Sequence, residues 1–344
     1  AWELATHLAS LPGVEPMIVA PLYINRYVAA NNAVRIAGWR IAAIPRAGRL
    51  LCALTAPWAR RSLERLAPDI VHETYYYSSA PTAPKGARSV VTLHDMIHER
   101  IGPTSAVIDR TSQAKRLAVS RADHVICVSE SARRDLIELF NVEPARASVV
   151  HHGCWLPPEA SATVNVSRRP YLLFVGQRGG YKNFEGLLHA YAATPALRED
   201  FGIVCFGGGR LTRHERAEIG RLGIAAGSVV QVSGADELLA GVYRRAAMLV
   251  YPSTYEGFGM PTVEAMAMGC PVACANAGSL PEICGDAAEY FDPANPQAIA
   301  AAMLRVLEAP GRSRALIARG FERATQFSWQ TCAEKTAGIY ASLL

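Results

Sequence analysis

Short runs of apolar and β-branched residues recur along the chain and alternate with stretches whose apolar positions repeat every three to four residues, the pattern of strands joined by crossover helices. The runs predict buried strands at Met17–Ala20, Ile70–His72, Ser89–Leu93, His124–Val128, Ser148–His151, Tyr171–Val175, Gly202–Phe206, Val229–Val232, Met248–Tyr251, Pro271–Ala275 and Glu289–Phe291. Helices are predicted over Ser129–Phe140, opened by an N-cap serine, over Asn183–Ala193, and over 261–268 and 296–309, with helical character running on from Pro296 to Thr325. Strands apolar along their whole length belong to a parallel sheet covered by helices on both faces. The fold class is therefore α/β, with two Rossmann-like doubly wound domains.

Between Trp155 and Arg169 the chain is polar, contains Pro157 and Pro158 and has no periodicity, which marks a linker. The expected domains are 1–160 and 161–326, followed by a closing amphipathic helix over 327–344, opened by Phe327-Ser328-Trp329, that can cross back to the first domain. Residues Ala1–Ser10 read as a helix already under way. The strand and Gly-rich loop that usually open such a sheet are therefore expected ahead of Ala1.

With 344 residues, 50% of them hydrophobic and 19% charged, the composition excludes disorder, collagen-like repeats and coiled coil. Every long apolar stretch is interrupted before it could span a membrane; Ile36–Trp58, for instance, contains Arg40, Pro45, Arg46 and Arg49. The eight cysteines form no C-x-x-C pair, so they read as buried thiols of a reducing, cytoplasmic compartment, Cys270 and Cys274 among them as small core residues. Residues 1–150 hold 18 Lys and Arg against 13 Asp and Glu, which accounts for the whole net charge of +5. That excess is too weak to suggest nucleic acid. Arg46, Arg49, Arg60, Arg61 and Arg65, interleaved with Leu50, Leu51, Leu54, Trp58 and Leu63, form either a solvated helix face or a basic amphipathic surface for peripheral contact with an anionic membrane.

The chemistry is concentrated in Tyr251-Pro-Ser-Thr-Tyr-Glu256-Gly-Phe-Gly-Met-Pro-Thr-Val-Glu264. An apolar strand ends at Tyr251, a tight Gly257-Phe258-Gly259 loop follows, and Pro261 suits the first turn of a helix. Amides at a helix N-terminus attract an anionic or hydroxyl-rich ligand, and a carboxylate at each end of the loop can grip two sets of hydroxyls. Upstream, Tyr171-Leu-Leu-Phe-Val-Gly176-Gln-Arg178-Gly179-Gly180-Tyr-Lys182-Asn183 runs a strand into a Gly-rich loop with two cations. Such cations can neutralise a diphosphate whose charge grows in a reaction. In the first half, Ser89-Val-Val-Thr92-Leu-His94-Asp95 places a His-Asp pair at the carboxyl end of a strand, the edge where α/β sheets bind ligands. His94 and His98 have the i, i+4 spacing of a zinc pair, but Asp95 replaces the glutamate of H-E-x-x-H and the segment follows a strand rather than lying in a helix.

Glu256 to Glu264, with the surrounding Glu-Gly-Phe-Gly-Met-Pro and Glu-Ala-Met-Ala-Met-Gly-Cys-Pro-Val strings, resembles the E-x7-E signature of family 4 retaining glycosyltransferases, whose two facing Rossmann-like domains form the GT-B architecture. The resemblance extends to the His94 turn, to Arg121-Ala-Asp123 through Ser131, to His151-His152-Gly153 and to Phe327-Ser-Trp329. It implies that Glu256 contacts the donor sugar and Glu264 the ribose, that the amides of Gly257, Phe258 and Gly259 line sugar and phosphates, and that Arg178 and Lys182 hold the diphosphate. It also implies that His94 contacts sugar or acceptor and that the base packs from Val232 to Leu238. The expected reaction moves a hexose-type sugar from a nucleotide diphosphate sugar to a glycan or lipid-linked saccharide, as in bacterial surface polysaccharide assembly, with retention and without a metal or other cofactor. The alternatives are a sugar-nucleotide epimerase of the same architecture and a non-catalytic nucleotide-sugar or glycan-binding protein. A dehydrogenase fits poorly, because Gly207-Gly208-Gly209 is not G-x-G-x-x-G.

Overall fold

The structure, a computed structural model, describes residues 2–23, 34–41, 48–77, 82–102, 110–154 and 165–344, and of 48–54 the backbone alone. Arg46, most of the expected linker, and the side chains of Arg49, Leu50, Leu51, Cys52 and Leu54 lie outside the described residues. The chain divides into two compact units, residues 1–153 with 328–344, and residues 154–327.

In the first unit, helix α1 (Trp2–Leu8) leads to β1 (Met17–Tyr23) and β2 (Arg35–Arg40), a parallel pair. The hydrophobic pattern does not predict β2. Its sequence Arg-Ile-Ala-Gly-Trp-Arg is charged at both ends and half-exposed, and Gly38 lies so close to β1 that a Cβ there would sit 1.7 Å from the Ala20 carbonyl oxygen. Helix α2 (Gly48–Leu66) follows, then β3 (Ile70–Glu73), β4 (Arg88–Leu93), short α3 (Ile97–Ile101), α4 (Arg110–Arg121), β5 (His124–Cys127), α5 (Glu130–Phe140) and β6 (Ala147–Val149). Strands β3-β4-β5-β6 form a parallel sheet in that order. Ser129 caps α5, its hydroxyl accepting the Ala132 N–H. On α2, Arg60, Arg61 and Arg65 are exposed, Leu63 is buried, and Trp58 packs against the exposed Trp39 with ring centroids 5.2 Å apart and planes inclined by 52°.

The second unit is a doubly wound sheet. Its strands β7 (Tyr171–Val175), β8 (Gly202–Phe206), β9 (Val229–Val232), β10 (Met248–Tyr251), β11 (Val272–Ala275) and β12 (Ala288–Phe291) are all parallel, in the order β12-β11-β10-β7-β8-β9. Every residue of β7, β8, β10 and β11 is buried, as expected for central strands covered on both faces. Cys205, Cys270, Cys274 and Cys284 belong to this core, and the cysteines with described side chains are all free thiols. The crossovers are α6 (Phe184–Ala192) with α7 (Pro195–Asp200), α8 (Arg213–Arg221), α9 (Asp236–Arg245), α10 (Met260–Ala267) and α11 (Leu280–Cys284). After β12 the long helical stretch is two helices, α12 (Pro296–Leu307) and α13 (Pro310–Ala324). Ala309, at φ −114° and ψ 88°, is pushed out of the helical region by the proline that follows it. Ser328 then caps α14 (Trp329–Leu343), which belongs to the first unit and packs on α1.

Candidate functional site

In the second unit the strand order reverses between β7 and β10, the neighbours from which the chain winds in opposite directions. Ligands of such sheets bind at the carboxyl ends of the strands flanking this point. Residues 176–183 leave the end of β7 and residues 252–259 the end of β10, so the two Gly-rich segments singled out by sequence meet here. Asn183 ties them together. Its backbone is left-handed (φ 53°), a conformation Asn tolerates, and its amide donates to the carbonyls of Pro252 at 3.2 Å and Pro293 at 2.8 Å. A backbone bond from Thr254 N–H to the Tyr181 carbonyl, 2.8 Å, adds a second stitch.

These stitches bring Lys182 to Glu256. The Lys182 ammonium donates to Glu256 Oε1 at 2.6 Å and to the Tyr251 hydroxyl at 2.9 Å, and lies over the rings of Tyr181 and Tyr251. Side-chain exposures of 13% and 9% place the pair in a poorly solvated pocket. There its mutual attraction is strong and loss of either partner leaves a charge stranded. The Glu256 loop is held from behind by Ser279, whose hydroxyl donates to the carbonyls of Glu256 and Phe258 at 3.0 and 2.8 Å. Gly278 permits this contact: it is left-handed (φ 57°), and a Cβ there would sit 2.8 Å from the Glu256 backbone.

Glu264 lies one helix turn into α10, which opens at the left-handed Gly259 with Pro261 in its first turn. Its Oε2 accepts the Tyr243 hydroxyl of α9 at 2.8 Å. Burial, and more weakly the nearby Asp236, raise its pKa above the ordinary carboxylate value, while the Tyr243 bond pulls it back down. A partly buried carboxylate fixed by one neutral donor keeps capacity to accept further hydroxyl donors. Phe258, at 6% exposure, packs edge-on against Phe327 and fixes the middle of the loop.

Arg178, expected at the diphosphate, is held against Glu215 and the glycine loop after β8. Its side chain is 1% exposed; Nε donates to Glu215 Oε1 at 2.8 Å, Nη1 to the Gly207 carbonyl at 3.0 Å, and Nη2 to the Gly209 and Arg210 carbonyls at 2.9 and 3.1 Å. The guanidinium thus organises the glycine loop after β8, and these bonds engage all three of its nitrogens. Val232 ends β9, where its carbonyl accepts the Gly207 N–H at 2.9 Å and so continues that loop's support. Sequence reading could not assign Arg178 this role, because its partners lie 29 to 37 residues away.

In the first unit, His94 follows β4 within a group of histidines. Its Nε2 lies 2.8 Å from the Thr74 carbonyl, which can only accept, so Nε2 carries the proton and Nδ1 accepts from His152 Nε2 at 3.3 Å. Burial lowers both pKa values, that of His152 to about 3, so both rings are neutral near pH 7. His72 sits deeper, between Tyr340 and Thr92. Among the described residues no three His, Cys, Asp or Glu are placed to hold a metal ion, and both nitrogens of His94 are engaged in hydrogen bonds. Neither His152 nor Tyr243 stands out in the sequence as a partner of a site residue.

We predict that His94 keeps its proton on Nε2 in the wild type and in His152→Phe, because the Thr74 carbonyl fixes that tautomer, while loss of the His152 N–H shifts the Nδ1 resonance of His94. Long-range 1H–15N spectra of the histidines read this directly. A wild-type His94 protonated at Nδ1 would contradict the Thr74 bond, and an unmoved Nδ1 resonance in the variant would contradict the His152 bond.

Sequence profiles of two families match the chain, Glycosyltransferase Family 4 over residues 1–154 and Glycosyl transferases group 1 over residues 159–323. The O-antigen chain mannosyltransferase B of Escherichia coli is 32% identical over 270 residues, which span 74% of this chain and 71% of that protein. The chain belongs to glycosyltransferase family 4. Among solved structures, this family 4 glycosyltransferase is similar to sucrose-phosphate synthase from Thermosynechococcus elongatus, with a TM-score of 0.78 at 21% identity over 99% of this chain and 92% of that one. It is also similar to Anabaena HepE in complex with UDP and glucose, with a TM-score of 0.72 at 18% identity over 99% and 95%. At these identities the likeness establishes the fold, the GT-B class of two Rossmann-like units. The expected α/β fold class and family are therefore correct.

Proposed function

We propose that this glycosyltransferase moves a hexose-type sugar from a nucleotide diphosphate sugar to a saccharide acceptor in surface polysaccharide assembly, with retention at the anomeric carbon and without a metal. The observation that carries the reading is the Lys182–Glu256 pair at the switch point of the second sheet, with Glu264 on the helix that follows. Lys182 supplies positive charge to the diphosphate as it leaves, a fixed cation costing no reorganisation during reaction. Glu256 accepts from hydroxyls of the donor sugar, Glu264 from those of the ribose, and the loop of Gly257, Phe258 and Gly259 turns backbone toward sugar and phosphate. Arg178 acts at one remove, by shaping the loop after β8. His94, kept neutral and Nε2-protonated, contacts sugar or acceptor. The E. coli relative is named a mannosyltransferase and the Anabaena structure holds UDP and glucose, which sets the first donors to try.

The protein is incubated with GDP-mannose or UDP-glucose, with and without saccharide acceptors, in buffer containing a chelator. The reading expects nucleotide diphosphate release that depends on acceptor, and a product whose NMR coupling shows the donor's anomeric configuration. An inverted product would remove retention, dependence on added divalent metal would remove metal independence, and an epimerised sugar from donor alone would favour the epimerase.

A further inference from the structure

Thr74-Tyr75-Tyr76-Tyr77 leave the carboxyl end of β3, beside the end of β4 that carries His94. The chain bends at residues 74 and 75 as it leaves the strand, and the three tyrosines differ in burial. Tyr76 turns inward: it is 4% exposed, its hydroxyl accepts the His94 backbone N–H at 3.0 Å, and the buried Lys115 ammonium lies 5.6 Å from its ring. Tyr75 and Tyr77 turn outward, 49% and 45% exposed, with ring centroids 5.7 Å apart. Tyr75 also packs on Tyr76 at 4.8 Å and lies 6.0 Å from the His94 ring, inclined by 33°. The anchored middle ring thus fixes the orientation of an aromatic surface continuous with the His94 imidazole.

We propose that Tyr75, flanked by Tyr77, is the stacking platform for a pyranose ring of the acceptor, so that the acceptor-side ligand is a saccharide bound through its C–H face. The inference rests on the sugar-transfer reading and names its second substrate. An exposed aromatic ring offers a flat apolar surface of low conformational entropy, which matches the C–H face of a pyranose, while the phenol hydroxyls of Tyr75 and Tyr77 suit the hydroxyls at the ring edge. An apolar chain would make no use of those polar groups. A planar base could stack in the same place, and the test separates it.

Saturation-transfer NMR is run on the full chain with methyl α-mannopyranoside, methyl α-glucopyranoside and methyl α-galactopyranoside, for the wild type, Tyr75→Phe and Tyr75→Ala. Expected are transfer to the C–H protons of at least one pyranoside in the wild type and Tyr75→Phe, and binding about tenfold weaker in Tyr75→Ala. Binding of UDP and GDP to the same samples, expected to be equal in all three, reports on folding and on the donor site. Equal pyranoside binding in Tyr75→Ala, no binding of any pyranoside, or displacement of the sugar by uridine or guanosine would overturn the platform. Absence of nucleotide binding in the wild type would strike the donor reading instead, and leaves the sugar result to be judged separately.

Discussion

Lys182→Met is expected to lower the turnover number for sugar transfer about 10²- to 10³-fold, the usual effect of removing one preorganised electrostatic contact to a developing charge. The same change leaves Glu256 unpaired at 9% side-chain exposure, so the protein is also expected to lose about 3 kcal/mol of stability. A loss of activity alone would not separate chemistry from folding. The double variant Lys182→Met/Glu256→Gln does, because a neutral amide next to a thioether strands no charge. Its melting temperature should return most of the way to the wild-type value while turnover stays low. If turnover recovered with stability, Lys182 would be a structural cation and the diphosphate contact would have to be sought elsewhere.

Much of this site is written in local sequence, and its limits follow from how each residue is fixed. The strands around it were legible because central parallel strands are apolar along their whole length; β2, half-exposed with an arginine at each end, carries no such signal. Glu256, Gly259 and Glu264 were legible because strand, turn and helix start are specified within a dozen residues. The helix read over 296–309 already stops before Pro310, and the helical character that runs on to Thr325 belongs to a second helix, as the backbone rule for residues before proline requires. What was not legible is held by distant partners. The Asn183 stitch reaches Pro252 and Pro293, 69 and 110 residues on, and the Arg178 guanidinium is held by a loop about 30 residues downstream. Two cations in one loop look equivalent in sequence, and tertiary structure sends Lys182 to the Glu256 carboxylate and Arg178 to Glu215 and backbone carbonyls.

Glu264→Gln is expected to weaken binding of the nucleotide diphosphate about 10- to 100-fold near pH 7, the range for hydrogen bonds to a charged group, and at the same time to raise the melting temperature of the unliganded protein. The two effects have one cause. Burial raises the Glu264 pKa above its unfolded value, so the folded state binds the proton more tightly and the contribution of Glu264 to stability declines as pH rises through that folded pKa. Gln carries no charge to desolvate and escapes the penalty. Ribose hydroxyls, in contrast, need the ionised carboxylate, so nucleotide affinity should fall as pH drops through the same pKa. Tyr243→Phe sharpens the test: it removes a bond that lowers this pKa, so the pH at which affinity falls should move upward, with Asp236 now the remaining neighbour and acting in the same direction. Isothermal titration with UDP and GDP between pH 4.5 and 8 measures the shift. Affinity that does not depend on pH in both wild type and Tyr243→Phe would show that Glu264 does not meet the nucleotide as a carboxylate.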